Sequence, residues 1–300
     1  MGRRDRRVAT NELAASIHHL QTSMSAQLGV VIVHGMGDQT TTFANALCED
    51  LETRLADKGI APGRVSYCPL FWADVLEPAE TELLATANAA GNLAWNDLRR
   101  FVVHNLADAV AYRRADDEAG AVYDRIHDVV RRKLRAAAAD IGDDTPVVLL
   151  AHSLGGAIMS DYIWERQKGA AAGEGKMERL VNLVGIVTFG CNIPLFTLAL
   201  PKVQPILLPS AELSPALDPL RPIIEWHNYY DPDDVLGWPL AQIYGPRDDG
   251  RPGPRILDFD INVGDWKSSW NPMCHAEYWT DRDFTGPVAD HLERIVKQLP

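Results

Sequence analysis

Positive charge is what this chain of 300 residues has too little of: 29 Lys and Arg stand against 41 Asp and Glu, a net charge of −12. That balance repels phosphate backbones and anionic headgroups, which excludes nucleic-acid binding carried by broad electrostatics. Cysteine is scarce too. Cys48, Cys68, Cys191 and Cys274 lie far apart among apolar neighbours with no C-x-x-C spacing, so they read as free thiols, neither a disulfide framework nor a zinc site. No H-E-x-x-H helix, P-loop or G-x-G-x-x-G turn is present, so metalloprotease, NTPase and dehydrogenase chemistries lack support and neither cofactor nor metal is expected. The basic start at Arg3, Arg4, Arg6 and Arg7 leads into no apolar run of signal-peptide length, and a cytoplasmic protein is expected. Residues 180–201 carry no charge and are long enough to span a bilayer. However, Gly185, Gly190 and Pro194 interrupt them, and their first half is β-branched like a buried parallel strand, so no integral membrane segment is expected.

What is present is core material. Hydrophobic residues make up 46% and charged residues 23%, the balance of a globular chain. Short Val- and Ile-rich runs at 28–34, 64–70, 147–151, 181–189, 223–230 and 256–263 read as strands. Helical spacing covers 42–58, much of 71–140, 154–167 and the tail 288–299. Strands alternating with helices predict a mostly parallel central sheet with helices on both faces, a three-layer α/β sandwich. One domain over 28–300 is expected, preceded by a flexible arm at 1–27. A helical insertion near 71–140 and a Pro-rich apolar stretch near 191–222, a candidate lid or acyl pocket, interrupt it. Ligands of such sheets sit at the carboxyl ends of the strands.

At one such end stands Ala151-His152-Ser153-Leu154-Gly155-Gly156, where a buried strand turns directly into a helix. A tight strand-to-helix turn demands small residues two positions either side of its central residue, and Ala151 and Gly155 supply them. The bland alternative is a serine that merely caps the helix. With His34-Gly35-Met36-Gly37 after the first strand, the chain resembles the α/β-hydrolase superfamily, in particular serine esterases and lipases. That resemblance implies an α/β-hydrolase fold, Ser153 as nucleophile, and an oxyanion hole formed by the backbone N–H groups of Met36 and Leu154. His34 and His152 read as structural histidines.

The superfamily's chain order is Ser, acid, His. After the strand at 223–230 come Asp231, Asp233 and Asp234 within four positions. Asp231, before Pro232, reads as a turn initiator. The resemblance favours Asp234, followed by Leu236 and Gly237, with Asp233 as the alternative. Beyond Asp234 only His275 and His291 remain. His291 falls in the amphipathic tail helix, whereas His275 lies in a loop with Tyr278 and Trp279 shortly downstream, similar to the histidine loop of lipase-like hydrolases. A serine hydroxyl becomes a competent nucleophile when a neutral imidazole accepts its proton and a carboxylate fixes the imidazole's tautomer. The implied activity is cleavage of carboxylic esters, with a small ester or lipid as substrate. An acyltransferase, thioesterase or amidase using the same triad, or a non-catalytic interaction protein on the same fold, stays open, as does the oligomeric state. Trp72, Trp238, Trp266, Trp270 and Trp279 read either as core or as lining of the same face. Asp258 and Asp260, alternating along a strand, match no calcium loop and read as a solvated edge.

Overall fold

The computed structural model describes residues 26–37, 39–89, 111–112, 120–169, 173–198, 202–245, 247, 249–264 and 272–299. Most of the expected arm, parts of the helical insertion at 90–110 and 113–119, residues 199–201, and Trp266 and Trp270 therefore lie outside the described residues.

Six parallel strands form one sheet in the order β2-β1-β3-β4-β5-β6. β1 (Leu28–Val33), β3 (Val147–His152) and β4 (Leu183–Phe189) are buried at every position. That is why their sequences are continuous Val/Ile/Leu runs instead of alternating ones. β2 (Val65–Leu70) forms one edge, and β5 (Trp226–Tyr230) and β6 (Ile256–Asp260) complete the other side.

From β1 the chain moves outward through α1 (Asn45–Asp57) to β2, then passes α2 (Glu77–Ala89) and returns through α3 (Gly120–Ile141) to β3 on the far side of β1. Right-handed crossovers running in opposite directions put α1 and α3 on opposite faces of the sheet. α4 (Leu154–Lys168) lies beside α3, with the His127 and Tyr162 rings in contact, and the closing helix α6 (Arg282–Val296) packs on α1. The short helix α5 (Ile193–Phe196) follows β4. Sheet and layers are those of the expected α/β-hydrolase fold. The strand order reverses at β1 and β3, and the crevice at their carboxyl ends is where such sheets bind ligands.

Three local expectations change. The tail helix begins at Arg282, ahead of Pro287, because Asp281 caps it by accepting the Asp283 N–H at 2.8 Å. Asp258 is no solvated edge residue: it accepts the Asn228 side-chain amide and the Leu240 and Ala241 N–H groups, each at 2.8 Å, and so anchors the loop after β5. Within 191–222, Ile206, Leu207, Leu208, Leu213, Leu217 and Leu220 are buried, whereas Leu195 and Leu198 are exposed. Among the described residues no helix is long and apolar enough to cross a membrane.

Candidate active site

Ser153 sits between the last residue of β3 and the first of α4 with φ 51° and ψ −124°. Few non-glycine residues adopt such a conformation, so the surrounding packing must enforce it. The glycines show how tightly that packing is drawn. A Cβ on Gly155 would come 2.5 Å from the His34 carbonyl oxygen, and one on Gly35 would come 2.5 Å from the Ser153 Cβ. The loop leaving β1 thus crosses directly over the turn, and only glycine fits at either contact. Met36 follows Gly35 in that loop and Leu154 opens α4, so both expected oxyanion residues flank the turn. The Ser153 N–H donates to the Phe189 carbonyl of the adjacent strand at 3.1 Å. Its hydroxyl makes no capping bond to the helix, which removes the bland N-cap alternative.

The hydroxyl meets His275 instead: Ser153 Oγ and His275 Nε2 are 2.9 Å apart. On the other side of the ring, Nδ1 lies 2.8 Å from Asp234 Oδ2 and 3.0 Å from Oδ1. With Nδ1–H donated to the carboxylate, Nε2 is the acceptor facing the hydroxyl. Residues at 153, 234 and 275 are thereby brought together at the carboxyl ends of the strands. Gly190, at φ 53° after β4, leaves the room they need, since a Cβ there would lie 3.2 Å from both Asp234 Oδ2 and His275 Cε1.

The turn after β5 points the three aspartates in different directions. Asp231 Oδ1 accepts the Asp233 N–H at 2.8 Å and Oδ2 accepts the Val263 N–H at 2.7 Å, a turn-closing role. Asp233 is exposed, and Asp234, its side chain fully buried, faces His275. Burial by itself would raise the Asp234 carboxyl, yet the hydrogen bonds from His275, the Leu236 N–H and the Tyr278 hydroxyl outweigh it and hold it below the usual carboxylate range.

Tyr278, in the sequence one half of an aromatic pair, joins the same cluster. Its hydroxyl donates to Asp234 Oδ2 at 3.0 Å and accepts the Asp231 N–H at 2.9 Å. The segment Pro272–Thr280 is a 3₁₀ helix, in which positions three apart eclipse, and that brings Tyr278 to the same side as His275. The spacing of 275 and 278 is therefore the signal that could have found it.

His34 and His291 keep structural roles. His34 donates Nδ1–H to the Gly35 carbonyl at 2.8 Å, accepts the Trp72 N–H at 3.0 Å and stacks on the buried Trp72 ring; burial lowers it to about 4. His291 is buried in α6. All four cysteines are free, and burial pushes the Cys191 and Cys274 thiols, both near this site, up to about 12, which keeps them protonated. Trp279 lies half-buried against His152, Phe189 and Phe43, and Trp238 is exposed.

No family model matches the chain, and neither does any curated protein. Among solved structures it is similar to a hydrolase of the alpha/beta superfamily from Xanthomonas campestris pv. campestris, at 15% identity and a TM-score of 0.35, over 87% of this chain and 98% of that one. It is also similar to the esterase domain of a Rhodothermus marinus protein, at 14% identity and a TM-score of 0.34, over 93% of this chain and 90% of that one.

Proposed function

We propose that this protein is a serine hydrolase that cleaves carboxylic esters of small molecules or lipids, with Ser153 as nucleophile, His275 as base and Asp234 as its orienting carboxylate. The observation that carries the reading is the single imidazole bridging a strained, uncapped serine hydroxyl at 2.9 Å and a buried carboxylate at 2.8 Å. Ser153 gives its proton to His275 Nε2 as Oγ attacks the ester carbonyl carbon. The tetrahedral oxyanion faces the N–H groups of Leu154 and Met36. His275 then returns the proton to the departing alkoxide, leaving acyl-Ser153 and a free alcohol. Water, deprotonated by His275, attacks the acyl carbon, and the acid leaves as Oγ recovers its proton. Asp234 holds Nδ1–H and stabilises the imidazolium at each stage. The exposed Leu195 and Leu198 beyond β4, and Val235 and Trp238 beside Asp234, offer apolar surface for an acyl chain, with the two segments tied by the Trp238 N–H donating to the Cys191 carbonyl at 3.0 Å.

The test is hydrolysis of a p-nitrophenyl ester series from acetate to palmitate by wild type and Ser153→Ala, with mass-spectrometric mapping of a fluorophosphonate adduct. The expectation is turnover and a Ser153 adduct in the wild type only, with the variant slower by on the order of 10⁴-fold or more. Wild type that neither turns over nor labels overturns the reading. Labelling without ester turnover shifts it to thioester, amide or acyl-transfer chemistry.

A further inference from the structure

His152, the residue before the proposed nucleophile, is buried and touches three segments far apart in sequence. Its Nε2 lies 2.9 Å from the backbone carbonyl of His275, and since a carbonyl can only accept, Nε2 carries the hydrogen. Its ring centre stands 4.8 Å from that of His275 and is packed by Phe189 at 5.0 Å and Trp279 at 5.3 Å. Its other nitrogen, Nδ1, is buried without a hydrogen-bond partner and faces the loop after β1, where a Cβ on Gly35 would come within 3.1 Å.

A bare, buried acceptor costs free energy that a phenyl ring of similar shape would avoid. What the histidine gains for that cost is one directed N–H bond across the site. We infer that His152 is a positioning residue for the proposed reaction: its Nε2–H holds the His275 backbone so that the imidazole stays in line with the Ser153 hydroxyl. The bond joins the end of β3, whose conformation the sheet fixes, to the 3₁₀ segment at 272–280 that carries His275. Burial, reinforced by the charge on His275, lowers His152 to about 3, so the ring stays neutral with its hydrogen on Nε2 while His275 gains and loses a proton 4.8 Å away. A cationic neighbour would instead oppose the imidazolium that the reaction forms.

The inference rests on the hydrolase reading, and the experiment separates the two. His152→Phe keeps a ring between Phe189 and Trp279 and removes the donor; His152→Gln keeps an N–H of similar reach. For the Phe variant we expect kcat to fall by about tenfold to 10²-fold, as displacing a reacting group by an ångström does, with KM unchanged and the fluorophosphonate labelling rate of Ser153 reduced in the same proportion. For the Gln variant we expect kcat within tenfold of wild type. A folded Phe variant with wild-type kcat and labelling overturns the inference and leaves the hydrolase reading intact. So does a folded Gln variant slowed by more than tenfold, which also serves should the Phe variant fail to fold. Absence of labelling in wild type overturns the hydrolase reading itself.

Discussion

At the carboxyl end of β5 the buried Asp234 faces His275, a tyrosine hydroxyl and a backbone N–H; just ahead of its amino end the buried Glu225 faces His227 at 3.0 Å, Arg294 at 2.8 Å and Arg255 at 2.6 Å. Both carboxylates are held ionised against the cost of burial, Glu225 by its histidine and arginines and Asp234 by hydrogen bonds from groups that are neutral or titratable. The arginines use up the charge of Glu225 and tie β5, β6 and α6 together at one end of the sheet. Asp234 has no lysine or arginine partner among the described residues, so its charge remains directed at His275. A carboxylate paired with a histidine thus makes a brace at one end of a strand and, in the proposed reaction, a polarised relay at the other, and the difference is the presence of permanent cations.

The sharpest way to break the comparison is Asp234→Asn, which keeps the shape but offers Nδ1 a donor in place of an acceptor. It is expected to lower kcat for a p-nitrophenyl ester by about 10⁴-fold with little change in Tm; a loss below tenfold would make Asp234 another brace. Glu225→Gln should do the reverse. Its arginines are half-exposed and recover water, so the loss is expected to be about 2 kcal/mol, below that of a fully buried pair, and visible in the urea midpoint with kcat/KM unchanged. A drop in kcat/KM at unchanged stability would contradict that division of labour.

Acid should weaken the same brace. His291 packs its ring 4.1 Å from that of His227, and its buried Nε2 has no partner. Burial, with the charges of His227 and Arg294, lowers it from 6.5 to about 3. As pH falls, the unfolded chain therefore takes up this proton before the folded one. Stability present above pH 6.5 is lost between there and about pH 3, by about 1 kcal/mol per pH unit. Urea denaturation at pH 7 and 5 should show the slope, and His291→Leu should lessen it by about that amount, with His34 and His152, also lowered by burial, supplying the remainder; an unchanged slope in the variant would assign the acid lability elsewhere. The smallest effect sharpens the relay: Tyr278→Phe should cost about tenfold in kcat with KM unaltered, the loss of one hydrogen bond to a carboxylate. Wild-type kcat in that variant would reduce Tyr278 to packing.

Much of the frame is legible along the chain because it depends on local rules. Continuous apolar runs mark β1, β3 and β4, since strands covered on both faces have no polar side. The strand-to-helix turn is legible because backbone crowding around Ser153 admits only small residues at 151 and 155. The boundary of α6 is not: Pro287 looks like a barrier, and only the cap at Asp281 shows the helix starting before it. Nor is Asp258, whose spacing on a strand says edge while its three bonds run to residues 228, 240 and 241.

By itself the sequence determined an α/β sheet, the turn that presents Ser153 and the chain order of its candidate partners, because periodicity, turn sterics and residue type are local properties. Only the tertiary structure decided that Asp234 and not Asp233 faces His275, that Tyr278 holds that carboxylate, and that His152 reaches across to the histidine loop. Adjacent aspartates differ by a rotation of the backbone that composition does not encode, and hydrogen bonds between residues 123 or 44 positions apart exist only once the sheet has brought their loops to one end.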